Sequence, residues 1–203
     1  MTLSRFPTSP AGIIVADASV LINLNATGHF EAIIRASICN FHVTQNAFEE
    51  LKRGSRNGHA DASAVDNLAQ AGLLAVVPLA DAAEPVYRSL IEGAASETLD
   101  DGEAATIAQA HAISGVALID EKKASRLCND RFPDLSLRST AELLLDSRIS
   151  DALGALHAEA VLMALTKARM NVHPEHLDAV RQLIGDQNAS RCRSLPQRRV
   201  RTN

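Results

Sequence analysis

Four acidic residues in this chain sit where acids can do chemistry. Asp17 and Asp120 each follow a short apolar run, and Glu50 and Glu103 each lie in helix-compatible sequence. Ile13, Ile14 and Val15 lead up to Asp17, and Val116 to Ile119 lead up to Asp120. Apolar runs of this kind read as strands buried on both faces of a parallel sheet. Such a strand excludes charge from its middle, so both aspartates belong at strand carboxyl ends, the edge where open α/β sheets place ligand sites. Parallel strands share that edge, which is the strongest physical reason to expect Asp17 and Asp120 together. Ser19 follows Asp17 at a spacing that suits a helix cap as well as a site, and N-capping alone accounts for Asp17 if the stretch is taken by itself.

The two glutamates are placed by helical periodicity. Stepping about 100° per residue through residues 44–53, Ala47, Phe48 and Leu51 define the buried face. Glu50 flanks that face and Glu49 points more nearly away, so Glu50 is the inward candidate and Glu49 its fallback. Glu103 shares a face with Ile107, one turn on. Asp100 and Glu103 also have the spacing of a capping box, which would explain Glu103 without chemistry.

If the four acids converge, their charges must be offset. Two ionised carboxylates about 4 Å apart repel by roughly 4 kcal/mol at an effective dielectric near 20. Protonation or a divalent cation is then required, and all-oxygen ligation favours Mg²⁺ or Mn²⁺ over zinc.

The elements that would position these residues alternate along the chain. After the first strand and helix come a helix at 29–36, a strand at 38–43, and a helix that Thr44 can cap. A polar link at 54–58, a helix at 59–71, a strand at 73–77 and a helix at 83–95 follow. The helix at 100–113, the strand at 116–119, a helix at 121–129, a short apolar segment at 135–137 and a helix at 140–146 complete the series. This alternation predicts a mainly parallel sheet between helices. Ser150 and Asp151 are placed to cap a long helix running to Met170, and Pro174 to open another reaching Ile184.

With these motifs in hand, VADASVLINL (Asp17, Ser19), FEEL (Glu50), LDDGEAATIAQA (Glu103) and LIDEKKASRL (Asp120), the chain resembles a PIN-domain ribonuclease of the VapC-like toxin class. Order and spacing agree over residues 12–146, and ARMNVHPEHLDAVRQLIG resembles the extension of a subset of such proteins. The resemblance implies a three-layer α/β/α fold and a Mg²⁺- or Mn²⁺-dependent endoribonuclease, the toxin of a type II toxin–antitoxin pair. It assigns catalysis and metal binding to Asp17, Glu50, Glu103 and Asp120, with Ser19 supporting. It also implies an RNA substrate, a small antitoxin as partner, and a homodimer. The chain departs from the pattern at Glu121, where relatives often carry a second Asp, and where Lys122-Lys123-Ala124-Ser125-Arg126 replaces a glycine often found there. Glu121 is a supporting candidate, and Lys122, Lys123 and Arg126 are candidate phosphate contacts.

The expected organisation is a loose lead-in at 1–11, a nuclease domain at 12–146, a helical extension at 147–185 packed on it, and a basic, disordered tail at 186–203. The formal net charge is −4; removing the five arginines from Arg191 to Arg201 leaves the remainder near −9. Aromatics are only 3%, which argues against RNA modules that stack bases on exposed rings. Cys39, Cys128 and Cys192 lack metal or disulfide spacing and read as reduced thiols of a cytoplasmic protein. No uncharged stretch approaches a membrane span.

Competing chemistries lack their residues. A haloacid-dehalogenase-like phosphatase needs an acid where Ser19 stands. No phosphate loop of the G-x-x-x-x-G-K-[ST] kind occurs, and His173 and His176 read as surface histidines. Two functional alternatives stay open: a catalytically weak PIN fold used as a binding or regulatory module, and a solitary RNA-processing nuclease.

Overall fold

The computed structural model describes residues 6–7, 12–55 and 60–196. Its centre is a five-stranded sheet in the order β3-β2-β1-β4-β5, with every pairing parallel. The strands are β1 (Ile13–Ala16), β2 (Asn40–Thr44), β3 (Leu74–Val77), β4 (Val116–Leu118) and β5 (Ser136–Arg138). The segment at 135–137, expected only as apolar chain, is thus an edge strand. Helices α1 (Ala18–Ala26), α2 (Phe30–Ser37), α3 (Gln45–Ser55) and α4 (Asp61–Gln70) occupy the first half. They are followed by α5 (Glu84–Ile91), α6 (Asp101–Ala112), α7 (Lys122–Arg131) and α8 (Thr140–Leu144).

Strand alternation sends side chains into two separate cores, as the twofold period of a strand requires. Ile14 and Ala16 of β1 join Val116 and Leu118 of β4 in the larger core, which α1, α2 and α3 cover. Val15 and Ala117 point the other way, against Ala110 of α6. Beyond them Ile119 packs with Leu90, Leu99, Ile107 and Leu127. Apolar β1 and β4 sequences follow directly, since both faces of these strands are covered. The result is the α/β/α sandwich expected from the alternation of elements.

Helix α6 is buried along its whole length from Gly102 to Ala110. Its alanines let it lie close against β1 and β4, and its burial on every side explains why it carries no single apolar stripe. At Gly102 the approach is closest: a Cβ there would stand 2.5 Å from Glu50 Oε2 and 3.4 Å from both the Ala47 Cα and Asp17 Oδ1.

The C-terminal region differs from expectation in two places. The long helix is two: α9 (Ser147–Leu153) and α10 (His157–Lys167), joined by a 3-10 turn. Asp146, rather than Ser150 or Asp151, caps α9 by accepting from Arg148 N (3.0 Å), and Gly154 breaks the run at φ +50. By length and composition 147–167 matches a membrane-crossing helix, but Ile149, Leu153, Ala160, Val161, Ala164 and Leu165 belong to the main core. Second, α11 (Leu177–Ile184) is followed by a short α12 (Asp186–Ala189), and Ala189, Cys192 and Leu195 are buried in that core. Residues 186–196 are therefore packed chain, not a disordered tail. Arg198, Arg199 and Arg201 lie outside the described residues, as do most of the lead-in and residues 56–59 of the polar link.

Candidate active site

Asp17 stands one residue beyond β1, its backbone N–H donating to Leu118 O (3.1 Å), so that β4 fixes the turn in which it lies. The carboxylate is 4% exposed. Its Oδ2 accepts from Ser19 N (3.2 Å) and Ser19 Oγ (2.8 Å), the capping geometry expected at the start of α1. Capping uses only one oxygen: Asp17 Oδ1 is buried with no hydrogen-bond partner. A capping role alone leaves that oxygen unexplained, because burying an unsatisfied acceptor is unfavourable.

Glu50 reaches the same place from α3. Ala47, Phe48 and Leu51 are buried as the periodicity requires, while Glu49 is exposed and ion-paired to Lys52. Glu50 Oε2 and Asp17 Oδ1 flank the same face of Gly102 and lie no more than about 6 Å apart. Glu103, 7% exposed, is the next residue of α6. Asp100 caps α6 by accepting from Glu103 N (3.0 Å), yet the Glu103 carboxylate does not return the bond. At α8, by contrast, Ser139 and Glu142 form both halves of a capping box. Half a box leaves the Glu103 side chain free for the cleft.

Burial and mutual repulsion govern how these acids titrate. Dehydration is the first cause at each, raising Asp17 to about 6, Glu50 to about 7 and Glu103 to about 8. The Asp100 and Asp17 charges raise Glu50 and Glu103 further. Asp100 is a neighbour that sequence reasoning assigned only to capping.

Asp120 lines the same cleft in another condition. It is 4% exposed, and burial raises its pKa while hydrogen bonds oppose the rise. Oδ1 accepts from Thr140 N (2.8 Å) at the amino terminus of α8, where the backbone N–H has no helical partner. Oδ2 accepts from Thr140 Oγ1 (2.5 Å) and Asn23 Nδ2 (2.7 Å). The buried Asn23 amide, six residues past Asp17 on α1, was not anticipated.

The cleft holds about 610 Å³, and all four expected acids border it with Ser19, Asp100 and Glu121. Glu121 is exposed and turns its Oε2 back to Lys123 N and Ala124 N, capping α7. Among the candidate phosphate contacts, Lys122 lines the cleft. Lys123 does not; its Nζ donates to Ala95 O (2.7 Å), and Arg126 is exposed elsewhere on α7. The far wall is residues Ala168 to Asn171, from the helical extension. The histidines of that extension are less superficial than expected: His173 Nε2 and His176 Nε2 are buried without hydrogen bonds, and His176 lies 3.8 Å from Glu142 Oε2.

Among the described residues, no three His, Cys, Asp or Glu side chains already stand as a metal-ligating group. The donor chemistry nonetheless suits a hard cation. Asp17 Oδ1 is buried and unpartnered, the Glu50 and Glu103 carboxylates have no hydrogen bond or ion pair among the described residues, and every available carboxylate donor is oxygen.

The parallel α/β/α sandwich gathers its acids beyond the carboxyl ends of β1 and β4, the edge at which open α/β sheets hold ligands. The family model for the PIN domain matches residues 13–186, and the chain belongs to that family. PIN domains are generally nucleases, a class of hydrolases. No curated protein and no solved structure matches the chain.

Proposed function

We propose that this chain is a Mg²⁺- or Mn²⁺-dependent endoribonuclease, the toxin of a toxin–antitoxin pair. It acts in the cytoplasm on RNA as a homodimer held in check by a small antitoxin. The observation that carries the metal-dependent reading is the buried, unpartnered Asp17 Oδ1 beside Glu50 and Glu103, three acids whose pKa values are all raised. Carboxylates left in that state favour whatever neutralises them.

Asp17, Glu50, Glu103 and Asp120 would hold the cation, the first three offering oxygens not engaged in capping. The chemistry such an ion would supply when bound is activation of a water for attack on phosphorus and compensation of charge on the leaving oxygen. The chain's own side chains prepare the place. Ser19 fixes the Asp17 carboxylate through Oδ2 and so leaves Oδ1 facing Glu50. Thr140 and Asn23 hold Asp120 beyond the carboxyl end of the neighbouring strand β4. Without a cation, burial and the neighbouring carboxylates favour the protonated forms of Glu103 and Glu50. Ile22 and Met170 supply apolar lining to the cleft.

The second reading, a catalytically weak PIN fold that binds rather than cuts, draws on the lack of a preformed ligand group among the described residues. Titration of Mg²⁺ and Mn²⁺ against wild type, Asp17→Asn and Glu103→Gln distinguishes the two. RNA cleavage only with metal, lost in both variants while their thermal midpoints survive, supports the nuclease. Metal-independent behaviour with no cleavage by wild type overturns it.

A further inference from the structure

We propose that Arg169, supplied by the helical extension, is a substrate-binding residue that holds an RNA backbone phosphate at the cleft together with Lys122. The proposal rests on the nuclease reading of the same cleft.

Six carboxylates border the cleft, and among the described residues its only cationic lining side chains are Lys122 and Arg169. A polyanion entering such a field is repelled unless fixed positive charge meets it at the rim. Both cations are exposed, and neither makes an ion pair or hydrogen bond with the surrounding acids among the described residues. Several basic side chains elsewhere do take such partners: Lys52 pairs with Glu49, Arg88 with Glu84, and Arg148 with Asp146. An arginine among six acids that pairs with none has its donors free for a ligand.

The backbone holds that arginine in place. Arg169 adopts φ +57, a left-handed conformation that a side chain of its size rarely takes. Met170 and Val172 beside it are buried, Met170 N donates to Ala164 O (3.1 Å), and Asn171 Nδ2 donates to the Asp120 backbone O (2.9 Å). The loop is therefore tied to α10 on one side and to the acidic strand end on the other. A planar guanidinium and an ammonium lining one cleft suit phosphate oxygens, the first by two parallel hydrogen bonds and the second as a point charge.

The test uses a fluorescein-labelled, mixed-sequence single-stranded RNA of 20 nucleotides, with binding read by anisotropy in chelator across a salt series. Wild type, Arg169→Gly and Arg169→Lys are compared, with thermal midpoints and Mn²⁺-dependent cleavage measured alongside. Arg169→Gly is expected to weaken binding about tenfold and to reduce the salt slope by about 0.7, the loss of one phosphate contact on a single strand. Its midpoint should hold or rise, because glycine adopts φ +57 without strain. Arg169→Lys should keep the wild-type salt slope while binding more weakly. Wild-type affinity and slope in Arg169→Gly, with cleavage intact, overturn this assignment and leave the nuclease reading standing. Weaker binding that accompanies a fall in midpoint shows a structural role and overturns it too. A wild type that neither binds nor cleaves the RNA overturns both.

Discussion

Asp17→Asn should stabilise the metal-free protein while abolishing its activity, and the size of the gain follows from the site. Asparagine caps helices as well as aspartate does, and its amide oxygen can accept the two Ser19 bonds now made to Oδ2. The amide nitrogen would take the place of Oδ1, which has no donor to lose. Burial raises the Asp17 pKa from 3.8 to about 6, so between those values the folded protein binds the proton that the unfolded chain releases. Stability therefore falls as pH rises through that window, and once Asp17 is ionised the cost is about 3 kcal/mol. At about 2–4 °C per kcal/mol for a chain of this size, Asp17→Asn should melt roughly 6–12 °C above wild type at pH 8 in chelator. The gap should close near pH 4, where wild type is largely protonated at this position, and Mn²⁺ should narrow it by stabilising wild type alone. Differential scanning fluorimetry from pH 4 to 8, with and without metal, measures all three trends. A gap that stays flat across pH, or a variant that melts lower at pH 8 in chelator, would refute the crowded-carboxylate argument.

The remaining expectations probe neighbouring positions. Asp120→Asn should carry the opposite sign, losing about 1–3 kcal/mol in chemical denaturation at pH 8, because an amide cannot accept all three bonds donated by Thr140 and Asn23. Gly102→Ala should fold with an unchanged or raised midpoint, since alanine gains up to about 1 kcal/mol in a helix. Its Cβ would stand 2.5 Å from Glu50 Oε2, turning that carboxylate aside. A cleavage rate about 10²-fold lower in a quantitative RNA assay is the expected result.

Much of this arrangement could be read from local pattern. Ile13 to Val15 and Val116 to Ile119 announced buried parallel strands, and the aspartates after them had nowhere to go but the shared edge. The Ala47, Phe48 and Leu51 stripe was enough to turn Glu50 inward and Glu49 outward, as the structure has them. What stayed hidden depends on contacts between distant segments. Asn23 is an ordinary helix amide until Asp120, 97 residues away, accepts from it. Arg169 and Asn171 reach the cleft only because the extension docks there, which no local period encodes. The packing of 186–196 did leave a trace, since Ala189, Cys192 and Leu195 recur at a three-residue spacing. The surrounding arginines, read as a solvated run, obscured it. The reading of one long helix followed the apolar spacing and passed over Gly154, where the run breaks.

The sheet order also sets a schedule. β1 is made first, yet it occupies the middle of the sheet, and its β4 neighbour arrives about a hundred residues later. Until then one edge of β1 lacks its partner, and pairings of such long sequence separation form slowly because the intervening loop must first be closed. Asp120 comes with β4, Thr140 follows it, and the wall at 168–171 follows both. A ribosome therefore has to deliver nearly the whole described chain before the acidic cleft exists, so a half-made copy carries Asp17 and Glu50 but no complete place to bind or cut a strand.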